Sequence, residues 1–204
     1  EEGTNPIDSY NGTSLLSAVF FGATVPVGNF TLVGGFRGEY NTLKLSSHDA
    51  AGNPIEVNNK LFTPLAYLNI DYSIGDLQKI RFAYGRSVNR PEFREVAPFL
   101  FYDFELDANR NGNPNLKTAT INNFEARYEI YPRRGETISI GGFYKSFKDP
   151  IETVVILQSE SQAFTLTNAD QAFSYGAELE IRKSFRGYTE SKFIDKLSIN
   201  LNAS

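Results

Sequence analysis

The chain has 204 residues, 41% of them hydrophobic and 14% aromatic, with a formal net charge of −4 and no cysteine. That apolar content excludes a disordered chain, the acidic balance argues against nucleic acid as a partner, and the missing thiols exclude disulfide scaffolds, thiolate metal sites and cysteine nucleophiles. No stretch approaches the ~18 consecutive apolar residues of a membrane helix.

What organises the chain is alternation. Strands are predicted at 13–25, 30–45, 61–73, 79–88, 118–131, 136–147, 172–184 and 196–204. In the second, Phe30, Leu32, Phe36 and Tyr40 share one face while Thr31, Arg37, Glu39 and Asn41 share the other. In the third, Ala66, Leu68, Ile70 and Tyr72 oppose Asn69, Asp71 and Ser73, and in the fourth Ile80, Phe82 and Tyr84 oppose Arg81, Ala83 and Gly85. The fifth sets Phe124, Ala126, Tyr128 and Ile130 against Glu125, Arg127 and Glu129. The seventh sets Tyr175, Ala177, Leu179 and Ile181 against Gly176, Glu178, Glu180 and Arg182, and the eighth interleaves Leu197, Ile199, Leu201 and Ala203 with Ser198, Asn200, Asn202 and Ser204. Successive side chains on a strand point to opposite faces, so each stretch has one apolar and one polar surface. The three- and four-residue apolar spacing of a helix is missing.

The connections carry as much information as the strands. Pro26-Val27-Gly28-Asn29, Ile74-Gly75-Asp76-Leu77 and Pro132-Arg133-Arg134-Gly135 are short and made of turn formers. Between them come long connections at about 46–60, 89–117 and 148–171, with an intermediate one at 185–195. Short turns alternating with long loops, on strands long enough to cross a bilayer at a tilt, describe the wall of an outer-membrane β-barrel. The mean hydropathy of −0.32 fits such a wall, because half of each strand faces a polar lumen. Tyr72, Tyr131, Phe143, Tyr144, Phe147, Phe173, Tyr175 and Phe185 cluster near strand ends, where interfacial aromatic girdles are expected. The fold class is therefore all-β, an antiparallel up-and-down meander of about eight long strands. A soluble β-sandwich that binds carbohydrate or protein is the alternative, and it requires the apolar faces to pack on each other. A closed eight-stranded barrel is a further option.

The ordered motifs beyond residue 60 resemble the barrel of TonB-dependent outer-membrane receptors, particularly the Bacteroidetes type. They begin with Arg90-Pro91-Glu92-Phe93-Arg94-Glu95, Asp103 and Gly112-Asn113-Pro114-Asn115-Leu116. Asn122-Asn123-Phe124-Glu125, Gly142-Phe143-Tyr144-Lys145, Pro150-Ile151-Glu152, Asn168-Ala169 and Tyr175-Gly176-Ala177-Glu178 follow in the same order. The resemblance is strong between about 60 and 185. It implies a 22-stranded barrel closed by an N-terminal plug, which binds a large nutrient outside and releases it inward on energy delivered through TonB. On that reading residues 1–204 are a partial barrel without plug, signal peptide or final strands: Glu1-Glu2-Gly3 has no signal-peptide character and Ser204 falls inside an alternating run. The expected partners are the outer-membrane lipid bilayer, the parent's own plug and, through it, TonB, and a nutrient ligand. An excised piece, with two unpaired edges and a bare apolar face, is expected to self-associate.

No enzyme site, cofactor or metal site is expected. Arg90, Glu92, Arg94, Glu95, Asp103 and Asn113 are candidates for an outer vestibule touching ligand, although alternating charges at a barrel mouth more often pair with one another. Arg81, Glu125, Arg127, Glu129, Glu178, Glu180 and Arg182 are expected to form charged rows on the lumen wall. Asp107-Ala108-Asn109-Arg110-Asn111-Gly112 begins like a calcium loop, but Thr118 stands where a bidentate Glu is needed and Pro114 interrupts it. His48 is the only histidine, so multi-histidine zinc sites and catalytic triads are excluded. Gly34-Gly35 and Gly141-Gly142 fall inside strands, where they are expected to permit bends or close packing.

Overall fold

The computed structural model describes residues 9–48, 52–98, 100–103, 108–157, 162–187 and 193–204. Eight strands form one antiparallel sheet: β1 (Asn11–Val27), β2 (Phe30–His48), β3 (Pro54–Ile74), β4 (Gln78–Asn89), β7 (Ala119–Ile130), β8 (Thr137–Lys148), β11 (Gln171–Ser184) and β12 (Ser198–Ala203). Chain order and sheet order coincide, so every neighbour is reached by a hairpin-like connection. Each predicted strand corresponds to one of these eight, with ends shifted by a few residues except at the start of β3, which begins at Pro54 and not at 61. At one end the turns are tight, and Gly28 and Gly75 take φ of 58° and 60°, a left-handed backbone that costs glycine little.

At the other end the sequence reading needs three corrections. The connection expected over 46–60 is mostly strand: β2 runs 19 residues and β3 runs 21, and they pair from Phe30↔Tyr72 out to His48↔Pro54. The connections expected at 89–117 and 148–171 contain a short helix, α1 (Phe93–Val96), and four further strands, β5 (Leu100–Asp103), β6 (Ala108–Asn111), β9 (Ile151–Leu157) and β10 (Gln162–Asn168). These make a second sheet in the order β5-β6-β10-β9, in which β6 and β10 run parallel. Two loops from different parts of the chain thus share one backbone ladder.

The sandwich alternative also fails. Val19, Phe21, Phe62, Tyr144, Ile140 and Tyr175 stay exposed because, among the described residues, no second layer covers the apolar face. The buried cluster of Leu43, Leu45, Val57, Val96, Ala97, Leu116 and Leu166 lies on the opposite face, at the outer end of the sheet. Among the described residues β1 and β12 each leave one edge unpaired and do not pair with each other, so the closed eight-stranded option fails as well.

Exposed apolar area and open edges together predict that the isolated 204-residue chain stays dispersed only in detergent. Gel filtration after detergent removal should show large assemblies, and a discrete monomer in plain buffer would contradict the bare apolar face.

Candidate functional site

Register assigns every side chain to a face. Tyr67 pairs with both Gly35 and Gly85, Gly85 with Asn123, Asn123 with Lys145 and Lys145 with Ser174, so these residues and their alternates share one surface. That surface carries Arg37, Glu39, Asp71, Arg81, Glu125, Arg127, Glu129, Glu178, Glu180 and Arg182. Its glycines admit side chains lying flat. The Tyr67 ring comes within 2.6 Å of where a Gly35 Cβ would sit, and Phe143 within 2.8 Å of one on Gly176.

The other surface is an apolar band. Tyr84, Phe124, Tyr144 and Tyr175 stand directly opposite one another across four strands, with ring centroids 5.0 Å apart for the first pair and 6.4 Å for the second. Towards the tight turns Phe30 stacks on Tyr72 at 4.5 Å. Phe30 to Tyr40, and Tyr72 to Phe62, each span ten residues, about 33 Å along a strand and about 25 Å in height at the usual barrel tilt. That is the height of an outer-membrane apolar belt. Three residues expected in the girdle are not in it: Phe143 and Phe147 lie on the polar face by register, and the Tyr131 hydroxyl donates to Glu129 on that same face. β1 departs from the pattern, carrying exposed Leu16 and Phe20 on the polar side as well.

Above the Tyr84 row the polarity reverses. Leu43 and Leu45 on β2, Val57 on β3, and Ile121 and Phe147 on β7 and β8 point to the inner, polar side. Leu43, Leu45 and Val57 are covered there by α1 and by the segment ending at Leu116. Phe93 packs on Gly12, 2.7 Å from where a Cβ would stand, and on Tyr10. Gly112 passes so close that a Cβ would sit 2.1 Å from the Ala97 carbonyl oxygen. Asn113 donates its backbone N–H to Glu95 O (2.7 Å) and its side-chain N–H to Leu166 O (2.9 Å), while its Oδ1 accepts from the Asn115 N–H (3.0 Å). Asn168 closes the unit: its Nδ2 donates to Lys117 O and Asp149 O, and its Oδ1 accepts from the Lys117 N–H at 2.8 Å.

The vestibule candidates therefore divide. The Arg90 guanidinium donates to Glu39, which also accepts from Arg37 Nε at 2.6 Å, and Glu39 is 6% exposed. Glu95 accepts from the Glu92 backbone N–H at 2.9 Å and so caps α1. Arg90, Glu95 and Asn113 are thus engaged in building the rim. Glu92 and Arg94 are exposed, on a cleft of about 400 Å³ shared with Tyr10, Ser14 and Leu43. Asp103 ends β5 opposite Ala108, and its side chain lies outside the described residues. Asp107 also lies outside them. Asn109 and Asn111 sit in the extended strand β6, whose ladder with β5 and β10 leaves no backbone to wrap a cation. His48 ends β2, exposed.

Of the charged rows, Arg81 Nε donates to Glu129 at 3.0 Å, with Asp71 4.0 Å away, and Arg127 meets Glu178 at 3.4 Å. Arg182 donates to Asn200 at 3.1 Å. Glu125 lines one cleft with Arg81 and Arg127, and Glu180 lines another with Glu178. The Glu129 carboxylate beside it, together with burial, pushes the Tyr131 phenol above its ordinary range. Sequence reasoning missed Glu39 as the anchor of Arg90, and Leu43, Leu45, Val57 and Asn168 as the seat of the rim.

Residues 2–204 match the family described as "TonB dependent receptor-like, beta-barrel". The chain belongs to that family. TonB-dependent receptors are outer-membrane proteins, which places the apolar band against lipid and the loop-bearing end outside. No curated protein matches the chain. Similar solved structures include the Serratia marcescens hemophore receptor HasR, a double mutant in complex with its hemophore HasA and heme. It is 14% identical with a TM-score of 0.68, the match covering 84% of this chain and 32% of that one. The siderophore receptor PirA from Pseudomonas aeruginosa is 15% identical with a TM-score of 0.57, covering 86% and 41%. The FrpB iron transporter from Neisseria meningitidis is 16% identical with a TM-score of 0.56, covering 84% and 24%. The chain thus spans less than half the length of these receptors, with which it shares the wall of a large barrel.

Within the receptor barrel, Leu116→Ala should cost about 2–5 kcal/mol of rim stability, the range for emptying a buried leucine site. Arg94→Ala should stay within about 0.5 kcal/mol. Arg90→Ala should cost about 1–3 kcal/mol, because it strips a charge-assisted bond from buried Glu39. Limited proteolysis between residues 90 and 118 is the readout. Equal cleavage in Leu116→Ala and Arg94→Ala would contradict the buried rim.

Proposed function

We propose that this chain is the barrel-wall segment of a receptor that takes up a large nutrient across the outer membrane in a TonB-dependent way. The observation that carries the reading is a single-layered sheet with an aromatic-bordered apolar band on one face and ion-paired polar rows on the other. Such a sheet is stable only as part of a closed wall between lipid and a filled, hydrated lumen. The two unpaired edges support further strands in the parent, and the charged rows of Arg81, Glu125, Arg127, Glu129, Glu178, Glu180 and Arg182 then face the lumen and the parent's own plug. The ordered motif series favours a Bacteroidetes-type receptor.

An iron chelate, cobalamin, a glycan or a peptide would suit a barrel of this size. The similar structures include a hemophore receptor in complex with its hemophore and heme, a siderophore receptor, an iron transporter and a copper transporter, which supports a metal chelate, an iron chelate among them. Exposed Arg94, whose side chain takes no part in the α1 capping box, is the vestibule residue best placed to meet such a ligand, with exposed Glu92 beside it; Glu92 and Glu95 cap α1, and Arg90 and Asn113 hold the rim that presents them. The work done on the solute is binding and passage, with no bond made or broken.

Expression of the full-length receptor in an outer-membrane host lacking its own uptake systems tests this reading. Growth on one solute of a panel of ferric siderophores, heme, cobalamin, oligosaccharides and peptides should depend on both the receptor and TonB. TonB-independent growth would refute it. The combined Glu92→Gln and Arg94→Ala substitutions should weaken binding of that solute several-fold while protease resistance of the rim is retained. Unchanged binding would remove these two residues from the ligand site.

A further inference from the structure

The wall is not laddered evenly. β3 and β4 pair from Ile74↔Gln78 up to Tyr67↔Gly85, and beyond that rung β3 runs on to Pro54 with β2 as its sole strand partner among the described residues. β4 runs on to Asn89, paired there with β7 alone. The Ser73 N–H donates to Asn29 O at 2.9 Å, and the Tyr131 N–H to Leu77 O at 2.8 Å. Bonded pairs in an antiparallel ladder recur every second residue. Odd-numbered residues of β3 therefore bond to β2, and even-numbered residues of β3 and β4 face each other. Above Pro64 the even-numbered backbone groups are those of Glu56, Asn58, Lys60 and Phe62, and none meets a backbone partner among the described residues. Pro64 and Pro54 have the same parity and no N–H to offer, so they bound this open stretch at both ends.

The open stretch borders a cleft of about 570 Å³, with Asn58, Lys60 and Leu61 on one side and Asn115, Lys117 and Thr118 on the other. The far side does not take up the edge, because the Lys117 N–H and C=O are both bonded to Asn168. Strands added beyond β1 or β12 do not take it up by continuing the sheet, because β4 already holds the place beside β3. From Asn58 to Phe62 both faces of the strand are exposed. The charge of the cleft is one-sided. Lys60 and Lys117 line it with no carboxylate, and neither lysine is in an ion pair among the described residues. Glu56 lies past its outer end. A regular row of backbone donors and acceptors is complementary to another extended backbone, and the two lysines favour acidic side chains on it.

We propose that β3 between Pro54 and Pro64 accepts an extended acidic segment of a partner polypeptide as an added strand. Glu56, Asn58, Lys60 and Phe62 supply the rungs, Lys60 and Lys117 supply the charge match, and the two prolines limit the added strand to the span of residues 56–62. The site shares no residue with the cleft that holds Glu92 and Arg94. It requires neither TonB nor a transported solute, and so goes beyond uptake.

The test uses the full-length receptor in neutral detergent and two labelled, end-capped peptides spanning that length, one alternating glutamate with valine and one alternating lysine with valine. Fluorescence anisotropy measures binding, and hydrogen exchange resolved to single amides reports where it occurs. The receptor should bind the acidic peptide and not the basic one. The Asn58, Lys60 and Phe62 amides should exchange fast in the free receptor and slow with the acidic peptide, whereas Asn59 and Leu61, bonded to β2, should be slow in both. Lys60→Gln and Lys117→Gln should each weaken binding by up to about fivefold, the range of an exposed charge pair. Asn58→Pro removes a donor from the open edge and none from the β2 ladder, so it should abolish binding. Arg94→Ala should leave binding unchanged. If Asn58→Pro does not fold, the two lysine variants and the exchange pattern carry the test. Equal binding of both peptides, binding that persists in folded Asn58→Pro, or loss of binding in Arg94→Ala overturns the proposal. So does protection of the Asn58, Lys60 and Phe62 amides before peptide is added, because the receptor's own chain would then fill the gap. Failure of TonB-dependent growth would refute the uptake reading and leave this binding intact.

Discussion

The constraint on which the structure depends is that the medium outside the wall changes with height. Through the membrane, outward means hydrocarbon, so Phe36, Leu68, Phe82, Ala126 and Ile140 face out, and Arg37, Arg81, Arg127 and Ser139 face in. Past the aromatic row, outward means headgroups and water. The same strands continue unbroken, but Lys44, Asn58, Arg86 and Ser146 now face out and Leu43, Leu45, Val57 and Phe147 face in. Because strand periodicity is fixed at two, the reversal is achieved by shifting which parity is apolar. The inward apolar residues then need cover, and α1, Leu116 and Leu166 provide it.

The strands were legible because alternation over ten or more residues leaves little room for another structure. The rim was not. Its helix has four residues and β5 and β6 have four each, too short for any period to register; α1 packs on Leu43, Leu45 and Leu166 and β6 is held by its ladder with β10, partners remote in sequence. β9 and β10 could have been read: Ile151–Leu157 is rich in β-branched residues and Gln162–Asn168 alternates. Assigning the region to a loop obscured both. The parity shift at Leu43 and Leu45 was visible too, and it is the signal that would have placed a core inside the mouth and kept Phe147 out of the girdle.

The ion pairs on the polar face hold less of the structure than their number implies. Arg127 and Glu178 are 38% and 50% exposed in their side chains, and pairs of that kind contribute about 0–1 kcal/mol each. Glu129 with Arg81, and Glu39 with Arg37 and Arg90, differ, because both carboxylates are buried, and the Glu39 set links β2 to the exit of β4. That is where the arginine-rich motif acts: it fixes how the chain leaves the wall.

The Asn168 clasp bears on the order of assembly. It joins residues 51 apart to Lys117 and 19 apart to Asp149, and the neighbouring bond from Thr165 to Asn111 spans 54. Contacts of that separation carry the largest loop-closure entropy and so form late. Hairpins such as β1–β2 can zip locally from the start, whereas the mouth must wait until the chain has been delivered as far as β10. Errors in the clasp would therefore leave staves correctly raised around an entrance still unframed.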